Sequence, residues 1–365
     1  MKQESTLLLI GIGGAGCRMV GEVRNRFGED IRHVLVDTDA SSFSGDSPFL
    51  LLGAERLSGR GTGGEIVSAR LAAEDSATKL DEFITGVRIA VIVAALGGGT
   101  GSGATLEVVK HLATRGIVSV VIATTPFAFE GEARHRNARG VGSMIADAAN
   151  ACFLMPLDHL AGGCDEMEAA MRTGLDALSS AVTLFWRLLE NPGYIRLDAE
   201  RLRLIAQNAG RGRFATVCVS GPDRARRALN ELTGTPLLAD GTNSVRSILC
   251  GVLAGEDLRL SEIGCIADGL KTAFGGGKCD FELATVNDEK TFGGRLCVVA
   301  MMFELPARRD EEKPKPRASR KAKAAAASRN ALAASSRFTN VAPTIWNDED
   351  LDIPTYLRQN ITLEF

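Results

Sequence analysis

Two glycine-rich runs carry the strongest chemical signal in this chain. The first is Gly11-Ile12-Gly13-Gly14-Ala15-Gly16, and the second is Gly97-Gly98-Gly99-Thr100-Gly101-Ser102-Gly103. Each follows a short apolar run and precedes a stretch of helical composition. A junction of that kind suits phosphate. Glycine lets the backbone approach closely and adopt positive φ, and the free N–H groups and partial positive charge of a helix N-terminus attract an anion. Thr100 and Ser102 add hydroxyl donors. Taken alone, the first run fits GxGxxG, with Asp37 at about the distance where a dinucleotide-binding fold carries its ribose-binding acid. An NAD-dependent oxidoreductase is therefore one reading, and a tight turn without ligand is another. The second run shifts the balance, because a dinucleotide fold needs one such loop rather than two.

The elements that must position these loops follow from apolar patterning. In the first half, strands are predicted at 6–10, 33–37, 89–95, 118–124 and 151–155, with helices at 18–26, 64–85, 103–115 and 132–147. Alternation of this kind predicts an α/β fold, a parallel sheet covered on both faces. A long helix is expected over 166–189, ended by Asn191-Pro192-Gly193, since proline cannot continue a helix and glycine tolerates the reversal. Strands at 214–220, 247–254 and 296–303, with helices at 224–232 and 261–273, suggest a smaller α+β domain.

The composition then changes. Residues 308–329 hold nine basic and three acidic residues, with almost no large apolar side chain, and such a segment cannot bury a core. Trp346, Leu351, Ile353, Tyr356, Leu357, Ile361, Leu363 and Phe365 then form an apolar island, the usual form of a short binding peptide. The expected organisation is a nucleotide-binding domain at 1–164, a spine helix at 165–190, a catalytic loop and second domain at 191–305, a disordered basic linker at 306–345 and a partner-binding peptide at 346–365.

Composition narrows the function further. A net charge of −3 gives no global field for nucleic acid, so no specific nucleic-acid partner is expected. The eight cysteines include no CxxC pair and the four histidines no HExxH pattern. No metal site is expected, and the cysteines read as small buried hydrophobes in a reducing cytosol. Nothing approaches a membrane span.

These motifs, taken together, resemble the tubulin/FtsZ family, and the FtsZ branch within it. Residues 97–103 (GGGTGSG) resemble its signature loop around the β- and γ-phosphates. Residues 11–18 resemble its first phosphate loop, Asp37-Thr38-Asp39 its NTD motif, and 58–64 (SGRGTGG) with Arg70 and Ala72-Ala73-Glu74 its γ-phosphate loop and following helix. Pro126-Phe127-Ala128-Phe129-Glu130-Gly131 resembles PFxFEG, with Arg134 four residues after Glu130. The segment from Asp348 to Gln359 (DEDLDIPTYLRQ) is similar to the C-terminal partner peptide of FtsZ, which tubulins lack. The resemblance implies GTP or GDP as ligand, with Mg²⁺ carried by the nucleotide. It also implies a head-to-tail homopolymer that hydrolyses GTP at the subunit interface, a cytoplasmic location with recruitment to the inner face of the membrane at the division site, and a membrane-anchoring division protein as partner. It assigns the nucleotide contacts to Gly13, Gly14, Ala15, Gly16, Cys17, Arg18, Asp39, Gly63, Gly64, Gly97, Gly98, Gly99, Thr100, Gly101, Ser102, Glu130 and Arg134, and on the spine helix to Met171, Leu175 and Asp176.

The departures fall on chemistry. Arg18 stands where the family has asparagine. On the spine helix, Met171 stands for the phenylalanine that stacks on guanine, and Leu175 for the aspartate that reads it, with Asp176 beside it. Methionine can cover a purine face, but leucine cannot accept guanine N–H groups. In the loop that FtsZ inserts into the next subunit as NxDxxD, Asp198 keeps one acid, Arg196 replaces the asparagine and Arg201 the second aspartate, with Glu200 one residue away. Two readings stay open: the arginines stabilise transition-state charge as arginine fingers do, or the protein assembles and turns over slowly. A polymer with negligible GTPase activity is the limiting case.

Overall fold

The computed structural model describes residues 6–27, 31–43, 45–190, 193–206, 210–239, 245–275 and 279–304, and the backbone of 345–346 and 349–350. The first half alternates strand and helix as expected: β1 (Leu7–Ile12), α1 (Gly13–Phe27), β2 (His33–Asp37), β3 (Phe49–Leu51), α2 (Ala54–Leu57), α3 (Ile66–Asp75), α4 (Ala77–Ile84), β4 (Ile89–Ala95), α5 (Gly99–Thr114), β5 (Val118–Thr125), α6 (Glu132–Ala148) and β6 (Ala151–Pro156). After α7 (Leu157–Leu160) comes the spine α8 (Met167–Glu190). The second half contains α9 (Ala199–Ala206), β7 (Gly210–Ser220), α10 (Arg224–Gly234), α11 (Pro236–Ala239), β8 (Val245–Ala254), α12 (Leu260–Phe274), β9 (Asp280–Asn287), α13 (Glu289–Phe292) and β10 (Arg295–Glu304).

These ten strands join one sheet in the order β3-β2-β1-β4-β5-β6-β7-β10-β8-β9. From β3 to β7 neighbouring strands are parallel. β10 then runs antiparallel to both β7 and β8, and β9 is parallel to β8. Period-two alternation builds both faces. Leu7 and Leu9 of β1 and Val91 and Val93 of β4 face α1 and α8, whereas Leu8, Ile10, Ile92 and Ala94 face α3, α5 and α6. In the second half Phe214, Val299 and Met301 join the core under α8, while Ala215, Val298 and Ala300 pack under α10 and α12. The core under α8 is thus continuous through both halves, and residues 1–307 form one compact unit. The boundary expected at 164 and 191 marks a helix shared by two halves of one core.

Three differences have physical causes. The helix expected over 64–85 is two helices. Between them Ser76 is buried, and its hydroxyl accepts from the Gly53 amide at 3.0 Å, which fixes a kink. α1 and α5 start inside the glycine loops rather than after them, at Gly13 and Gly99. The cysteines are not uniformly buried thiols. Cys218 and Cys297 lie opposite each other on β7 and β10 and form a disulfide, and Cys164 and Cys265 are exposed. The linker over 306–345 lies outside the described residues except at its last residue. The peptide over 346–365 does too, apart from a two-rung antiparallel ladder of β11 (Ile345–Trp346) with β12 (Glu349–Asp350). No described helix is long and apolar enough to cross a membrane.

Candidate nucleotide site

β1 and β4 are paired along the whole of β1, and chain order reverses between them; ligands bind at such a switch point beyond the strands' C-terminal ends. A cleft of about 660 Å³ opens there. Both glycine loops face it, each at the N-terminus of a helix (α1 and α5), so free amides and the helix dipoles converge on one space.

The glycines serve packing as much as ligand approach. Gly13 has φ +75°, and a Cβ there would sit 3.1 Å from the Gly101 amide nitrogen, so the two loops touch. A Cβ on Gly99 would meet Thr62 Oγ1 at 2.1 Å and the Glu65 nitrogen at 2.9 Å, so a third loop, residues 58–64, lies directly on the second. On Gly101 it would meet the Ala95 carbonyl at 2.1 Å, and on Gly97 (φ +106°) a Pro126 carbon at 2.6 Å. Gly98 alone among 97–101 has open space where a Cβ would stand, and it lines the cleft.

Gly13, Gly14, Ala15, Arg18, Asp39, Gly63, Gly64, Gly98, Gly99, Thr100, Gly101, Glu130, Arg134 and Met171 all line the cleft. Gly16 and Gly97 are buried behind the loops. Cys17 is 3% exposed, and its thiol points to the Gly11 and Val36 carbonyls. Burial, with a further contribution from Asp37, pushes that thiol's pKa up to about 12, so it is neutral. Ser102, expected as a phosphate donor, is fully buried, and its hydroxyl accepts from the Gly97 amide at 2.9 Å, closing the loop on itself. The Thr100 hydroxyl lies 2.7 Å from that of Thr38, which ties the NTD-like segment to the second loop. Leu175 and Asp176 do not line the cleft. Leu175 packs on the core, and Asp176 pairs with Arg26 of α1 at 2.8 Å.

The acids of the cleft have partners within the chain. Asp37 accepts from the Thr38 amide at 2.7 Å. Asp39 accepts from the Ser41 hydroxyl and amide, which hold its carboxyl below the usual carboxylate range. Glu130 accepts from the Phe127 amide at 3.0 Å and pairs with Arg134. Arg18 and Arg60 are exposed at the cleft, and neither guanidinium has a partner among the described residues. Sequence reasoning missed Arg60; its place between the glycines of SGRGTGG was the available signal.

The loop expected to be catalytic follows the far end of α8. Gly193 donates to the Thr285 carbonyl at 2.6 Å and Ile195 to the Thr285 hydroxyl at 3.1 Å, so the loop is laced to β9. Asp198 caps α9 by accepting from the Arg201 amide at 2.7 Å. Arg201 places Nε and Nη2 on Glu282, at 2.8 and 2.5 Å. Glu200 pairs with Arg203 at 3.0 Å and Arg88 at 3.7 Å. Arg196 is exposed and has no partner among the described residues.

A model of the GTPase domain of the tubulin/FtsZ family matches residues 6–165. The cell division protein FtsZ of Pseudomonas putida is 30% identical over 266 residues, which cover 71% of this chain and 67% of that protein. The chain belongs to the tubulin/FtsZ family. FtsZ of Coxiella burnetii is 29% identical over 295 residues, 78% of this chain and 75% of that one. Among solved structures, the empty FtsZ dimer of M. jannaschii superposes with a TM-score of 0.76 at 22% identity, covering 83% and 89% of the two chains. The GTPγS-bound CetZ2 protofilament of Haloferax volcanii gives 0.67 at 19% identity over 90% and 98%. Membership in a GTPase family sets aside the dinucleotide-oxidoreductase reading.

Proposed function

We propose that this protein binds GTP in the cleft and assembles head to tail into filaments, with slow GTP hydrolysis at the joint between subunits, as part of the bacterial division ring. The observation that carries this reading is the placement of two regions at opposite ends of α8. Met171 meets the cleft near the helix start, and the 193–201 loop follows its end. At 1.5 Å per residue the separation along the axis is about 29 Å. The loop cannot act on its own chain's nucleotide, but a second copy stacked on the first can bring it there. A contact between two different faces is heterologous, and when its rotation does not close it propagates as a filament.

Slow turnover is favoured by the side chains of that loop. Asp198, Glu200 and Arg201 are engaged within their own chain, and losing a positioned catalytic group typically lowers rate by orders of magnitude. For magnesium, the described residues contain no group of three or more His, Cys, Asp or Glu able to hold an ion. An ion accompanying the nucleotide would rest on its phosphates, with loops 11–16 and 97–103 orienting them. The segment from Asp348 to Gln359, most of it outside the described residues, would tether a cytoplasmic filament to an anchor protein at the inner face of the membrane.

Pelleting with GTP, GDP and NADH, with phosphate release measured in parallel, tests the reading. GTP-dependent pelleting with slow release supports it, and pelleting without release supports the purely structural polymer. Indifference to GTP overturns both. Truncation after Pro343 should leave pelleting intact while abolishing recruitment to an anchor-coated surface; loss of pelleting would make the tail part of the assembling body.

A further inference from the structure

The base end of the cleft lacks the group that a guanine reader ordinarily needs, a free carboxylate to accept the N1–H and the 2-amino group. The two faces of the sheet divide the cleft. α5 and the third loop lie on the face of α3 and α6, together with Gly99, Thr62 and Gly64. α1 and α8 lie on the other face, packed on each other. The phosphate-binding amides of the second and third loops are thus on one side, and Arg18 of α1 and Met171 of α8 flank the cleft on the other. Met171 is 45% exposed and offers the apolar surface on which a base can lie.

The spine helix α8 brings no unpaired carboxylate to that side. Leu175 is turned to the core and has no acceptor to offer, and Asp176 is held by Arg26 at 2.8 Å while the same arginine reaches the Ser180 hydroxyl at 2.7 Å. Of the other acids lining the cleft, Glu130 has both oxygens engaged, by the Phe127 amide and Arg134, while Asp37 and Asp39 each accept at Oδ1 and hold Oδ2 against the glycine loops, 3.7 Å from where a Cβ on Gly14 or Gly61 would stand. What the α1–α8 side offers instead is a guanidinium, with five donors and no acceptor. Arg18 is exposed and without a partner among the described residues.

We propose that Arg18 is the base-selecting residue, donating to the O6/N7 edge of a 6-oxopurine that lies on Met171, so that the cleft selects guanine over adenine without reading the 2-amino group. The pairing is the common bidentate match of arginine to O6 and N7. Adenine presents an amino group in place of O6, which sets donor against donor. Guanine and hypoxanthine share O6 and N7, and the guanine 2-amino group finds no acceptor. Arg60, within the third loop, is left to neutralise phosphate. This inference rests on the reading of the cleft as a GTP site.

Competition against a ribose-labelled fluorescent GTP, on the full chain kept dilute, tests both. ITP should bind within about threefold of GTP, 7-deaza-GTP about fivefold or more weaker, and ATP about tenfold or more weaker. Arg18→Met should bring GTP, ITP and ATP to similar affinity, whereas Arg60→Met should weaken all three in parallel. ITP binding more than about tenfold weaker than GTP means that the 2-amino group is read after all, and the proposal fails. Equal losses for GTP, ITP and ATP in Arg18→Met make Arg18 a phosphate contact, which also overturns it. If none of the wild-type competitions displaces the label because GTP itself does not bind, the GTP reading falls and this proposal falls with it.

Discussion

The cleft at one end of α8 and the 193–201 loop at the other are built from different material. The cleft is mostly backbone: amides of glycine loops held at contact distance, with the Ser102 and Thr38 hydroxyls bracing the second loop. The loop is side chain: its acids and one arginine cap a helix or pair within the chain, and Arg196 is exposed with no partner among the described residues. A backbone cradle survives most substitutions outside its glycines, whereas a catalytic constellation changes with each residue. Divergence can therefore leave binding intact while altering turnover, and in this chain the departures from the family pattern are densest where side chains carry the function.

The largest effect should come from overfilling the cradle. Gly99→Val is a natural choice to block phosphate, but its side chain would first collide with Thr62 and the backbone of Gly64 and Glu65. We expect a loss of about 3 kcal/mol of stability, the upper range for overpacking, measured by urea denaturation. A variant as stable as wild type would mean that the loops are not in contact. Gly98→Val separates the two roles, because Gly98 has extended backbone (φ −85°, ψ 171°) and open space toward the cleft. It should fold normally and bind GTP about 100-fold more weakly, about 2.7 kcal/mol; unchanged affinity would mean that the phosphates bind elsewhere.

Next in size is turnover. Arg196→Asn together with Arg201→Asp should raise phosphate release about tenfold if missing acids are the deficit. A fall would instead make the arginines the transition-state stabilisers, and the contrast between the two ends of α8 would narrow. The smallest effect should follow from Arg201→Ala alone. The Arg201–Glu282 pair is half exposed on the arginine side, and surface pairs contribute little. We expect a melting shift within about 2 °C. A larger drop would assign Arg201 a structural task in holding the loop against β9.

Much of the fold was legible in the sequence. The strands 33–37 and 89–95 coincide with β2 and β4, and α8 and α12 lie within a residue of their expected ends, because continuous β-branched runs and long amphipathic stretches identify buried strands and helices locally. β3, β9 and α9 were missed: β3 is only three residues long, and β9 is an edge strand with charged positions. The phosphate loops were legible too, since glycine at those positions answers a local backbone demand. What the sequence could not determine was where side chains point. Ser102 turns inward to hold the Gly97 amide, Cys17 faces the core, Asp176 rotates to Arg26, and Arg201 closes on Glu282, 81 residues away. Spacing along a helix gives a residue's angle about the axis but not which partner the packed sheet brings to meet it, so the choice of Arg18 and Met171 to line the cleft, in place of Leu175 and Asp176, belonged to the tertiary structure.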